Sequence, residues 1–135
     1  MSINIKKLRG MSEALAASLI EKGIRTSDQL LAAAQDSKAR QELAKTLQTD
    51  VKSILELANR ADLARIKGIG SVYSDLLEQA GVDTVRELAT RNAANLLQKI
   101  GEINAAQNLA GRLPTLKQVQ DWVEQAKSLP RKIEH

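Results

Sequence analysis

Along the chain, apolar residues recur at three- and four-residue spacing and seldom alternate with polar ones, the pattern of amphipathic helices rather than strands. Leu15 and Leu19, and later Tyr73 and Leu77, mark predicted helices that each close at a glycine, Gly23 or Gly81, a residue suited to the left-handed position after a helix. Thr26 with Gln29, and Thr84 with Glu87, predict helix starts built as capping boxes. In these the threonine oxygen and the Gln or Glu side chain satisfy backbone donors reciprocally. Asp36-Ser37 and Asn92 predict caps before helices carrying Leu43 and Leu47, or Leu96, Leu97 and Ile100. Asp50 precedes a helix bearing Val51, Ile54, Leu55 and Ala58. Pro114-Thr115 opens a last helix with Leu116, Val119, Trp122, Val123 and Ala126 on one face, ended by Leu129-Pro130. Short helices over Ile5 and Leu8, and over Leu63 and Ile66, run into Gly10 and Gly68. Arg131 to His135 is expected to be a frayed basic tail.

The same order of elements occurs twice. A shift of 58 positions lays Leu8-Arg9-Gly10-Met11 over Ile66-Lys67-Gly68-Ile69, Leu19 over Leu77, Gly23 over Gly81 and Thr26 over Thr84. With seven positions more, Val51-Lys52-Ser53-Ile54 falls on Leu116-Lys117-Gln118-Val119. The expected architecture is therefore all-α: two tandem repeats, about 3–61 and about 62–129, with a short tail over 130–135. No linker rich in Pro, Gly or Ser separates them. Residues 1–135 are expected to form a single compact domain with one shared core, an approximate internal twofold, and Asn59 to Asp62 as the seam.

Composition sharpens this picture by exclusion. Of 135 residues 43% are hydrophobic, yet Tyr73 and Trp122 are the only aromatics, so Ala and Leu supply most of the core. Both aromatics stand at core spacing, and two rings make no stacking platform for single-stranded nucleic acid. The chain has no cysteine, which removes disulfides, thiol catalysis and cysteine-bearing zinc sites. A lone histidine, His135, leaves no pair for a metal site or a catalytic triad. No cofactor, metal or catalytic residue is expected, and an enzyme is not. Twenty basic against sixteen acidic residues give a net charge of +4, which permits an anionic partner without demanding one. Lys38, Arg40, Glu42 and Lys45 are expected to form a solvated helix face. Neither a membrane span nor a signal peptide is present in this stretch, and a cytoplasmic protein is expected.

Leu63-x-x-Ile66-x-Gly68-Ile69-Gly70-x-x-x-Ser74-x-x-Leu77 resembles the helix–hairpin–helix motif of nucleic-acid-binding proteins. Two glycines around an apolar residue allow a tight turn, and the following helix then presents free N–H groups at the positive end of its dipole. Such a nest can hold a phosphate oxygen without reading bases. Ser74 stands where a small residue lets two helices approach, and Arg65 and Lys67 flank the turn. In the first repeat, Gly10-Met11-Ser12 loses the second glycine, and Glu13 stands where a phosphate would sit. Lys7 aligns with Arg65, and Arg9 with Lys67.

The tandem arrangement, Gly81-Val82-Asp83-Thr84-Val85-Arg86-Glu87-Leu88, and Arg112-Leu113-Pro114-Thr115-Leu116 with Val119, Trp122 and Val123 extend the likeness. Together they resemble an uncharacterised bacterial family of helix–hairpin–helix units, known only as a domain of unknown function. Similar hairpins occur in the C-terminal domain of the bacterial RNA polymerase alpha subunit and in DNA-repair proteins, where they contact the minor-groove backbone. The resemblance implies weak, sequence-independent binding of double-stranded DNA. The expected contacts are the backbone of Gly68, Ile69, Gly70 and Ser71, with Arg65 and Lys67 assisting and Lys7 and Arg9 as weaker partners. The alternative is an adaptor for a protein partner, with hairpins that only pack helices; a large exposed apolar patch would mark it.

Overall fold

A computed structural model describes residues 2–135. Eight α-helices are found there: α1 Glu13–Glu21, α2 Ser27–Ala33, α3 Ser37–Leu47, α4 Val51–Leu63, α5 Ser71–Gln79, α6 Val85–Leu88, α7 Ala93–Gln107 and α8 Leu116–Ser128. Among the described residues there is no strand, only an isolated antiparallel bridge between Asn4 and Thr26. The protein is all-α. None of these helices is long and apolar enough to cross a membrane.

Local chemistry accounts for most helix starts. The side chains of Ser12, Thr26, Asp36, Asp50, Thr84, Asn92 and Thr115 each accept a backbone N–H from the first turn that follows. The box at Thr26 is complete, and Thr115 forms a second complete box with Gln118. The box expected at Thr84 forms by half. Thr84 accepts the Glu87 N–H, but the Glu87 carboxylate turns to the Arg91 guanidinium at 2.9 Å. Gly10, Gly23, Gly68 and Gly81 all adopt positive φ, so the four turn glycines aligned by the repeat share one backbone requirement.

Three other expectations are corrected. Ile5–Lys7 is a single 3₁₀ turn, and Leu63 is the last residue of α4 rather than part of a separate short helix. Asn59 to Asp62 lies inside α4 rather than at a break in the chain, because no helix breaker interrupts Val51 to Leu63, but the buried clusters do divide there, Ala61 packing in the first and Leu63 in the second. The buried apolar residues form two clusters instead of one core. The first gathers Ile5, Leu19, Leu30, Ile54 and Leu57; the second gathers Leu63, Ile69, Leu77, Leu88, Ile100 and Trp122. α4 serves both, packing against α2 and α3 on one side and α5 on the other.

The tail is not frayed. Ile133 is buried in the first cluster, the Glu134 N–H donates to the Gln35 carbonyl at 2.7 Å, and the His135 ring meets Asn59 Oδ1 at 3.2 Å. Residues 130–135 thus strap the end of α8 to the first cluster. Arg40 also departs from expectation. It is buried, and its Nη1 donates at 2.9 Å to the Ala34 carbonyl, one of the acceptors left open at the end of α2. Burial draws its pKa below the ordinary arginine value, with Asp36 opposing that shift.

Candidate functional site

The chain leaves α4 through a tight turn. Ile66 N–H bonds to the Leu63 carbonyl and Ile69 N–H to the Ile66 carbonyl, each at 3.1 Å. Gly68 has φ +100°, and a Cβ there would lie 3.0 Å from Trp122 Nε1, so both conformation and proximity require glycine. Ile69 is fully buried and anchors the turn in the second cluster. Gly70 then begins α5 with an extended backbone and no side-chain cap. Among the eight helices, α5 alone starts this way. The first N–H groups of a helix have no intrahelical acceptor, and here no side chain provides one. Ser71 is half-buried and holds the Ser74 hydroxyl through its carbonyl; Ser74 is wholly buried.

Helix α8 braces this turn from behind. The Gln125 amide accepts the Lys67 N–H at 2.9 Å and donates to the Lys67 carbonyl at 3.0 Å, fixing the backbone while the Lys67 side chain remains exposed. Tyr73, near the start of α5, packs on Trp122 with ring centroids 5.3 Å apart, and its hydroxyl donates to the Arg112 carbonyl at 3.0 Å. The roles of Gln125 and Arg112 were not legible in the sequence. Both depend on contacts made far along the chain, with no local spacing to announce them.

The two cations expected beside the turn part company. Arg65 is turned away into an ion pair, its Nη1 2.8 Å from Asp62 Oδ1, and its Nη2 donates to the Pro130 carbonyl. Only 8% of its side chain is exposed. Lys67 alone keeps the exposed position.

The first turn has a different electrostatic character. Gly10 repeats the positive φ and Ala16 the buried small position. Ser12, however, accepts the Leu15 N–H at 3.1 Å, and Glu13 stands in the first turn of α1. This helix start supplies its own acceptor and its own negative charge. Lys7 and Arg9 are exposed beside it.

A family comparison fits this succession of capped helices and glycine turns. The chain belongs to the DUF4332 family. That family is described as a domain of unknown function, and its model matches residues 9–129. Both glycine turns lie inside the DUF4332 match, whereas the strap over 130–135 lies beyond it. No curated protein and no solved structure matches the chain.

Proposed function

We propose that the protein binds double-stranded DNA weakly and without sequence preference, holding a backbone phosphate at the start of α5. The observation carrying this reading is the uncapped α5 terminus beside a turn whose backbone is locked by Gln125 and Trp122. A pre-set group of N–H donors needs no reorganisation to receive a phosphate oxygen, and the helix dipole favours the charge. On this reading both glycine turns are helix–hairpin–helix units, distantly like those of the RNA polymerase alpha C-terminal domain. The second is the binding unit and the first is architectural. Gly68, Ile69, Gly70 and Ser71 shape the nest and Lys67 adds a cation. Lys7 and Arg9 contribute long-range attraction, and Arg65 supports the turn from inside.

The adaptor alternative lacks a comparable observation. Among the described residues the exposed large apolar ones are Val51, Leu113 and Leu116, each about two-fifths exposed, too few to favour it.

Fluorescence anisotropy of a labelled duplex at several salt concentrations tests the proposal. Two phosphates neutralised by the nest and Lys67, with weaker help from Lys7 and Arg9, predict a log–log salt slope of roughly −2 to −3. Affinity is expected in the non-specific range, about 10⁻⁴ to 10⁻⁶ M near physiological salt. Lys67→Ala should make the slope shallower by about one and leave the unfolding midpoint unchanged. Arg65→Ala should lower the unfolding midpoint and leave the slope nearly unchanged, because it strands the buried Asp62 carboxylate. Absence of duplex binding at low salt would reject the reading.

A further inference from the structure

The strap closes a second, unrelated feature. Between α6, the end of α8 and residues 129–135 lies a cavity of about 310 Å³. One part of its wall is apolar, formed by Val85, Ala89, Ala126 and Leu129. The rest is mixed but mainly basic, with Arg65, Arg86, Lys127, Arg131 and Lys132 beside Thr84 and His135. Asp62 is the carboxylate in this lining, and its charge is already committed. Its Oδ1 meets Arg65 at 2.8 Å and its Oδ2 accepts the Val85 N–H at 2.8 Å.

The cations are less committed. Lys127 pairs with Glu124 at 3.2 Å across an exposed surface, a contact of little energetic weight. Arg131 uses its Nε on the Ile133 carbonyl and keeps both terminal nitrogens. Arg86 and Lys132 are exposed and form no ion pair among the described residues. Asp36 and Glu134 share an outer groove with Arg131 and Lys132, but neither comes within ion-pair distance of them. Arg86, Arg131 and Lys132, none in an ion pair among the described residues, therefore border one cavity beside an apolar wall.

We propose that this cavity binds a small phosphomonoester, no larger than a mononucleotide. A volume of 310 Å³ lies at the small end of ligand cavities. A phosphate dianion matches several cations at once, and arginine binds it through paired N–H donors. The rest of the ligand lies against Val85, Ala89 and Leu129. Because the strap supplies Arg131 and Lys132 and buries Ile133 in the first cluster, a bound ligand also holds the two clusters together. Binding of this kind raises stability by mass action.

Titration of the ¹⁵N-labelled full chain with AMP, inorganic phosphate and adenosine, at constant ionic strength, tests this. Saturable shifts of the Val85, Arg86 and Ile133 amides by AMP are expected, with Kd at or below about 1 mM. Phosphate and adenosine should each bind at least several-fold more weakly. Joint replacement of Arg86→Gln and Lys132→Gln should weaken AMP at least about tenfold, at an unchanged unfolding midpoint. Lys67→Ala should leave AMP binding intact, so failure of duplex binding and failure of this site are separate results. No saturable shift by about 5 mM AMP would overturn the proposal, as would undiminished binding by the double variant. Adenosine binding as tightly as AMP would remove the phosphate's role, and phosphate binding as tightly as AMP would remove that of the apolar wall; either result rejects the phosphomonoester.

Discussion

At Thr26 the hydroxyl accepts the Gln29 N–H at 3.2 Å, and the Gln29 side-chain oxygen accepts the N–H groups of Arg25 and Thr26 at 2.7 and 3.2 Å. At Thr84 only the first half of this exchange occurs, since Glu87 serves Arg91 instead. Thr26→Ala and Thr84→Ala should therefore each cost about 1 kcal/mol, read from the urea midpoint at constant m-value. The second partners should differ. Gln29→Ala releases two donors at once and should cost close to 1 kcal/mol, whereas Glu87→Ala loses a half-exposed pair and should cost about 0.4 kcal/mol. Equal losses would mean that the Glu87 carboxylate caps after all. A parallel contrast separates two glycines. Gly23 has φ +82° and open space around it, so Gly23→Ala should cost about 1 kcal/mol for the left-handed backbone alone. Gly68→Ala should cost clearly more, because its Cβ would also press on the ring nitrogen of the buried Trp122.

Helices α4 and α5 are joined by charge as well as by packing. Arg60 on α4 meets Asp75 at 3.1 Å and Glu78 at 2.9 Å, all three side chains being at least four-fifths buried. The second contact lacks hydrogen-bond geometry, and Arg60 Nε has no acceptor, so the cluster is imperfectly satisfied. Burial chiefly raises the Glu78 pKa; Arg60 opposes this, while Asp83, Glu56 and Asp75 add to it. A carboxyl whose pKa is raised by folding stabilises the fold below its ordinary value of about 4.3, and that contribution is lost as pH rises through the shifted value. Glu78→Gln should thus be neutral or stabilising at pH ~7, and its advantage over the parent should shrink toward pH ~4 in urea titrations. Arg60→Ala should cost about 3 kcal/mol, since it leaves two buried carboxylates uncompensated. This network also marks where the sequence stops being readable. Caps and glycine turns were legible because each is written within four residues, and the repeat displays most of them twice. Arg60 and Asp75 lie on different helices, and Gln125 on α8 reaches Lys67 in the turn before α5. Nothing in local spacing distinguishes such residues from a solvated face, and Arg40 was misread for the same reason. The uncapped α5 start was legible from Gly70. The withdrawal of Arg65 rests on one local partner, Asp62 three residues away, and on one that no spacing announces, the Pro130 carbonyl.

The whole molecule consists of two buried clusters with α4 running through both and the strap closing them from the other end. Ile133 is the key to that closure: it follows α8, whose residues pack in the second cluster, yet is itself only 3% exposed within the first. A loose tail would add nothing to stability, and its charged residues would tether nothing. A buried isoleucine instead predicts that Ile133→Ala costs about 2–4 kcal/mol and Ile133→Val about 1 kcal/mol. In a chain of this size each kilocalorie should lower Tm by about 3–4 °C. Lys132→Ala, one residue away but exposed, should change Tm little. Location of the damage is the stricter measurement. If the strap stabilises the cluster it enters, Ile133→Ala should speed hydrogen exchange at Leu30, Ile54 and Leu57, amides far from residue 133 in sequence. Protection at Val119 and Trp122, which pack in the second cluster just ahead of the strap, should fall less. Exchange that accelerates only over the last few residues would mean the strap rests on the first cluster without supporting it. Uniform acceleration through both clusters would mean that they open as one cooperative unit.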